Sequence, residues 1–241
     1  METSDTPKQE RLSGRCRLCG KVFTKRGLSR HLIACCGRRP AAVGKGSGAN
    51  HGILVQVEDR YQPEYWLFLE MGPDADWNDL DRVLRNIWLE CCDHLSDFEF
   101  PEPRRRRAMY DGFGMEYMED AEDEESASAP DADSVAATPV GTRWRYHYDY
   151  GSTTTLNLTA VAHLAAAPRA PRVRLLARND PLDLRCGSCG AKATRICSNC
   201  YGDLLCTACA RRHRCGTERL RPLINSPRTG VCAYDGPSIE P

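Results

Sequence analysis

Fourteen cysteines in 241 residues constrain this chain more than any other feature. Eight fall in four C-x2-C pairs: Cys16/Cys19, Cys186/Cys189, Cys197/Cys200 and Cys206/Cys209. Two thiolates separated by two residues can grip one metal ion from a single tight turn. The remaining six are the adjacent pairs Cys35–Cys36 and Cys91–Cys92 and the single Cys215 and Cys232. The stretch from Met1 to Glu10 is polar and has no apolar signal core. No run of 18 or more apolar residues reads as a membrane span. The expectation is a cytoplasmic protein without a membrane anchor, whose thiols stay reduced and serve metal rather than disulfides.

The first cysteine group spans residues 11–37 and reads Cys16-x2-Cys19-x11-His31-x3-Cys35. His31 and Cys35 stand four apart, so one face of a helix presents both. With the Cys16–Cys19 knuckle they complete a tetrahedral zinc set, and Phe23 and Leu28 supply a minimal core. The segment resembles a two-Cys two-His finger whose last His is Cys, with one residue fewer before His31. Cys36 is an alternative fourth ligand. Lys21, Lys25, Arg26 and Arg30 surround the site and are candidate contacts to nucleic-acid phosphate.

The second group, residues 186–215, reads Cys186-x2-Cys189-x7-Cys197-x2-Cys200-x5-Cys206-x2-Cys209-x3-His213-x-Cys215. Eight ligands imply two ions, and the short intervals favour an interleaved cross-brace. Cys186, Cys189, Cys206 and Cys209 would take one ion, and Cys197, Cys200, His213 and Cys215 the other. The series looks like a B-box-type finger with Cys215 where His is usual; Cys232 is an alternative to Cys215. Twelve ligands in all predict about three zinc ions, four protein ligands to each. Such closed, thiolate-rich sets read as structural rather than catalytic.

Between the two groups the pattern predicts an α+β fold, a compact central domain flanked by two small zinc-stabilised modules. Residues 38–50, with Gly44, Gly46 and Gly48, read as a flexible linker; they lack the Gly-Lys-Ser/Thr ending of a phosphate loop. Strands are expected at Ile53–Val57, Tyr65–Leu69, Trp144–Tyr148, Thr153–Val161 and Arg172–Ala177. Trp144, Tyr146 and Tyr148 share one face and Arg143, Arg145 and His147 the other. The turn Asp149-Tyr150-Gly151-Ser152 joins two of these strands as a hairpin. Leu80, Val83, Leu84, Ile87, Trp88 and Cys91 recur at helical spacing, with Asp76 or Asn78 as cap. Trp88 and Cys91 on that stripe read as core. Residues 119–135 carry eight Asp/Glu and no Lys/Arg, the composition of a disordered insertion. The run Arg104 to Arg107 precedes it and reads as a solvated loop, and residues 223–241 read as a loose tail.

Several strings occur in order across residues 51–178. They are Leu54-Val55-Gln56-Val57, Pro63-Glu64-Tyr65-Trp66-Leu67, Leu80-x2-Val83-Leu84, Asp93-His94-Leu95-Ser96-Asp97-Phe98 and Tyr146-His147-Tyr148-Asp149-Tyr150-Gly151-Ser152-Thr153-Thr154. Together they resemble the plasmid open-reading-frame-three-like family, also labelled insertion-sequence passenger TnpR-like proteins. The resemblance implies a compact α+β domain and no established catalytic mechanism. Asp93, His94 and Asp149 are the candidates for chemistry or binding within it, because a His flanked by carboxylates suits proton transfer or ligand contact.

Net charge is zero, yet residues 1–50 hold 11 Lys/Arg against 3 Asp/Glu, residues 51–100 hold 3 against 12, and residues 169–222 hold 12 against 4. Basic ends and an acidic middle suit a macromolecular partner, protein or nucleic acid. No nucleophile–base set or nucleotide motif emerges. The expected function is a zinc-binding, non-catalytic adaptor or regulator with weak DNA binding. The alternative is a recombinase-like or transposition-associated DNA-processing protein of a mobile element.

Overall fold

The computed structural model describes residues 12–38, 51–100, 134–165, 171–200 and 202–237. The described chain opens with a short hairpin, β1 (Ser13–Arg15) and β2 (Val22–Thr24), and a helix, α1 (Lys25–Gly37). Strands β3 (Gly52–Asp59) and β4 (Trp66–Met71) follow, then helix α2 (Trp77–Leu84) and strand β5 (Ser96–Glu99). Beyond residue 133 come β6 (Arg143–Tyr148), β7 (Thr154–Leu164) and β8 (Val173–Arg178). A last module holds β9 (Arg195–Cys197), β10 (Leu204–Leu205), the single turn α3 (Thr207–Ala210) and β11 (Leu220–Pro222). The fold is α+β with sheet predominating, in keeping with the alternation of the central sequence.

The centre is a six-stranded antiparallel sheet in the order β5-β6-β7-β3-β4-β8. Side chains alternate across it. One face carries Ile53, Val55, Val57, Leu67, Leu69, Trp144, Tyr146, Tyr148, Leu156 and Leu158, and α2 covers it with Leu80 and Leu84. The helix starts where Asp76 accepts from the Asp79 amide at 2.8 Å and Asp79 accepts in return from the Asp76 amide at 3.3 Å, a reciprocal cap. The apolar stripe predicted one helix reaching Cys91. The α-helix instead stops at Leu84 and widens into a π turn over Arg85–Leu89 that buries Ile87, Trp88 and Leu89. Arg85 bonds Asp81, Glu90 and Ser96, which pins this wider turn. Cys91 therefore lies outside the helix, half-buried at the edge of the core.

The opposite face of the sheet is covered by the N-terminal module, which is more closely joined to the centre than a flanking appendage. Leu28, Leu32, Cys35 and Cys36 of α1 pack with Leu54, Trp66, Phe68, Leu164, Leu176 and Ala177. Gly14 lets the backbones meet, because a Cβ there would lie 2.2 Å from the Arg178 carbonyl oxygen and 2.5 Å from Trp66 Cη2. Gly14 also forms an isolated bridge with Asn179. Leu28 is fully buried as expected; Phe23 is half-buried and stacks on His31.

Residues 223–241 were expected as a loose tail, and the described part of that tail is instead docked. Ser226, Arg228 and Tyr234 are buried. Ser226 Oγ donates to the Trp88 carbonyl at 2.7 Å, and Arg228 Nη1 donates to the Ser152 carbonyl at 2.9 Å. Arg228 Nη2 donates to Asp149, so a charge otherwise costly to bury is paired inside the domain. The sequence reading missed this because its members lie 74 to 138 residues from their partners and follow no helical or strand period. Residues 39–50 of the expected linker, 119–133 of the expected insertion, and Arg104 to Arg107 lie outside the described residues. Ser134 and Val135, assigned to that insertion, are ordered: Ser134 Oγ donates to the Pro73 carbonyl at 3.0 Å and Val135 is buried.

Asn179 joins three segments. Its carboxamide oxygen accepts from the Trp66 amide at 3.1 Å, its amide nitrogen donates to Asn225 Oδ1 at 2.9 Å, and its carbonyl accepts from Asn225 Nδ2 at 2.9 Å. Asn179→Ala leaves the buried Trp66 amide unpaired, and we expect a loss of about 3 kcal/mol from the lost bonds and the orphaned donor. A lower urea midpoint followed by tryptophan fluorescence checks this.

Candidate metal centres

The first knuckle follows β1. The Gly20 amide donates to the Cys16 carbonyl at 2.8 Å and the Cys16 amide to the Lys21 carbonyl at 2.9 Å. Gly20 takes the left-handed conformation (φ 75°) that such a tight turn requires. Thr24 then caps α1, its Oγ1 accepting from the Gly27 amide at 3.3 Å. One turn on, the helix presents His31 and Cys35 to the knuckle. Cys16, Cys19, His31 and Cys35 converge with all ligand atoms within 4.8 Å of one another, and Cys19 Sγ lies 3.2 Å from His31 Nε2. A tetrahedral ion with metal–sulfur bonds of about 2.3 Å needs sulfur–sulfur edges of about 3.8 Å, so the spacing fits. Cys35 faces this set; Cys36 is buried in the cluster between α1 and the sheet.

Among the described residues, the buried cluster of the C-terminal module is Cys186, Leu205, Cys206 and Ala210, with Cys209 and Leu220 packed against it. That is too little apolar surface to hold a fold without a further tie. Two interleaved sets supply the candidate ties. Cys186, Cys189, Cys206 and Cys209 form one, and Cys197, Cys200, His213 and Cys215 the other. Cys189 and Cys206 sulfurs are 3.6 Å apart; Cys200 Sγ is 3.2 Å from Cys215 Sγ and 3.6 Å from His213 Nε2. The pairing is the expected cross-brace, and the one-residue gap between His213 and Cys215 is spanned. Asn199 and Arg214 place N–H groups 3.6 Å from Cys215 Sγ and 3.8 Å from Cys200 Sγ, where they can stabilise thiolate. Cys232, considered in place of Cys215, lies elsewhere.

Protons are shared unevenly within these sets. The Cys206 backbone amide pulls the Cys186 thiol down to about 6, and the Cys200 side chain pulls Cys215 down to about 7. Burial pushes Cys16 up to about 11, and the hydrogen bond with Cys189 pushes Cys209 up to about 12. Within each set one thiol is thus made more acidic and another holds its proton more tightly. A cation can replace those protons, so loading any of these sets should release acid.

Of the residues considered for nucleic acid, Lys21, Arg26 and Arg30 are exposed, whereas Lys25 is half-buried with Nζ 2.6 Å from Glu58. Beside them on the same sheet face is an open hollow of about 600 Å³ lined by Gln56, Glu58, Arg60, Glu99, Arg143 and Arg145, with Arg145 paired to Glu99 at 2.7 Å. Gln56 also borders the smaller recess formed by Lys25, Arg26, Ser29 and Arg30, so the two adjoin at that residue.

His94 and Asp149, considered for chemistry, are brought together, with His94 Nδ1 3.6 Å from Asp149 Oδ1. Arg228 holds the Asp149 carboxyl well below the usual carboxylate range. Asp93 is not part of this pair; its side chain is fully exposed. His94 instead joins a set that spacing did not reveal: Cys91, Cys92, His94 and Cys232 also converge within 4.8 Å. Its C-C-x-H string is no standard knuckle, and its fourth member is 138 residues from His94. The signals available were Cys92, left without a role by the spacing, and His94 and Cys232, each considered for a different one.

Comparison with family models and with curated proteins finds no match. Among solved structures, a protein of unknown function from Methanosarcina mazei Go1 is similar at 12% identity. The alignment covers 60% of this chain and 76% of that one, with a TM-score of 0.39.

Cys35→Ser is expected to remove one bound metal equivalent. Cys36→Ala should leave the count unchanged and cost about 1 kcal/mol for the small cavity. Cobalt titration of the two variants, read by sulfur-to-metal absorption, distinguishes them.

Proposed function

We propose that this is a zinc-binding, non-catalytic interaction protein whose ions fasten small modules around a sheet. The observation that carries this reading is that each of the three sets predicted from spacing is complete, with four thiol or imidazole ligands from the chain. Sulfur-rich tetrahedral sets suit zinc over harder cations, and a filled set leaves no position for water or substrate. The small core of the C-terminal module supports the same role, since the ions would supply the missing stabilisation.

The recognition surface in this reading is the finger helix and the neighbouring hollow. Lys21, Arg26, Arg30, Arg60 and Arg143 are exposed around it. Guanidinium groups on an open, shallow surface suit phosphate oxygens better than base edges. Double-stranded DNA is therefore the partner put forward, bound weakly and with little sequence preference.

Elemental analysis of protein purified without added metal should find zinc at about one equivalent per complete set. Zinc absent and the thiols in disulfides would remove the zinc reading. For the partner, a labelled duplex titrated at two salt concentrations should bind more weakly as salt rises. Arg26→Ala, Arg30→Ala and Arg143→Ala together should weaken all sequences alike and flatten the salt slope by up to about 3, near one per lost phosphate contact. No binding by the wild type at low salt would turn the surface over to a protein partner.

A further inference from the structure

The cluster of Cys91, Cys92, His94 and Cys232 lies apart from the three sets on which the proposed function rests. We propose that it is a fourth zinc site, one that latches the C-terminal segment to the central domain. Three of its ligands come from the loop that follows the π turn and the fourth from the docked tail. Cys92 Sγ is 3.7 Å from Cys232 Sγ, and His94 Nε2 is 3.5 Å from the same sulfur. These are the edges that a tetrahedral zinc ion with about 2.3 Å sulfur bonds and about 2.0 Å nitrogen bonds requires.

The loop is built to present its ligands. Glu90 accepts from the Asp93 amide at 2.6 Å and from the Tyr148 hydroxyl at 3.1 Å. The Tyr148 hydroxyl oxygen in turn accepts from the Cys91 and His94 amides, each at 3.4 Å. Asp93 turns the backbone through a left-handed conformation (φ 56°), which carries Cys92 and His94 to the same side. On the tail, Cys232 also takes a positive φ, 51°, and so reaches the loop.

Partners behind the ligands match those found around bound zinc. With Nε2 toward the ion position, His94 directs Nδ1 at Asp149, a carboxylate behind an imidazole. Arg228, fully buried, holds Asp149 and places Nη2 3.5 Å from Cys91 Sγ, an N–H aimed at a sulfur. His94, Asp149, Arg228 and Cys91 thus form a chain of contacts that runs from one ligand to another. Cys92 and Cys232 are exposed, which leaves the ion a way in. This accounts for the His94–Asp149 pair as positioning of a ligand.

The test is native mass spectrometry of the full chain, purified with reductant and zinc, beside Cys92→Ser and Cys232→Ser. Both side chains are exposed, so neither substitution opens the core. We expect about four zinc ions in the wild type and about three in each variant, from four ligands per site. Hydrogen exchange should also quicken over residues 226–234 in both variants and stay unchanged in α1. A wild-type count of about three, unaltered in the variants, would overturn the fourth site and leave the other three standing. A Cys92–Cys232 disulfide in that preparation would overturn it as well. A count of zero would instead remove the zinc reading of the whole protein.

Discussion

The carboxamide of Asn179 is where the parts of this protein meet. In a low-dielectric setting a fully satisfied amide is a strong and directional tie, and an unsatisfied one is costly. Asn179 is almost fully buried and bonds the edge of β4 on one side and Asn225 on the other. Its neighbour Asp180 holds the start of the first hairpin, donating its amide to the Ser13 carbonyl at 2.8 Å and accepting from Ser13 Oγ at 2.7 Å. The finger, the sheet and the docked tail therefore share one short stretch of backbone. The finger, with little core of its own, gains from this arrangement, because it borrows apolar surface and hydrogen bonds from the centre.

The sheet's two faces show how the borrowing works. One face is closed by α2 and the π turn, as in any small α+β domain. The other is closed by the N-terminal module over β8, β4, part of β3 and the end of β7, and over the rest it stays open beside Arg143 and Arg145. The finger thus serves as the second layer that the sheet lacks. Its helix lines a smaller recess that adjoins the open hollow at Gln56, which places the proposed recognition surface beside the seam between module and platform.

Much of this was legible locally. The strand around Tyr146 follows clean alternation, those around Val55 and Phe68 are short apolar runs, and the twelve candidate ligands of three sets were readable because each C-x2-C pair or His/Cys pair is close in sequence. β5 was missed because Ser96-Asp97-Phe98-Glu99 offers one apolar residue, and its pairing with Tyr146 and Tyr148 decides its state. The stop of α2 was missed because the stripe continues through Trp88, while Arg85 and its acidic partners redirect the backbone. The docked tail depends on Arg228 finding Asp149, 79 residues away, and no short-range pattern carries that. His94 and Asp149 were singled out from sequence for their chemistry; that they lie beside three cysteines required the fold.

With an ion held by the first set, as proposed, the packing of α1 against the sheet would tie solubility to ion supply. Leu54, Trp66, Phe68 and Leu176 are covered by a helix whose own attachment runs through His31 and Cys35. Should the first set lose its ion, the helix loses its anchor to the knuckle and those four side chains come within reach of water. An exposed apolar patch on a β-sheet favours self-association. A cell short of the ion would then hold an adhesive form of this protein, subject to chaperones and proteases, rather than an idle one.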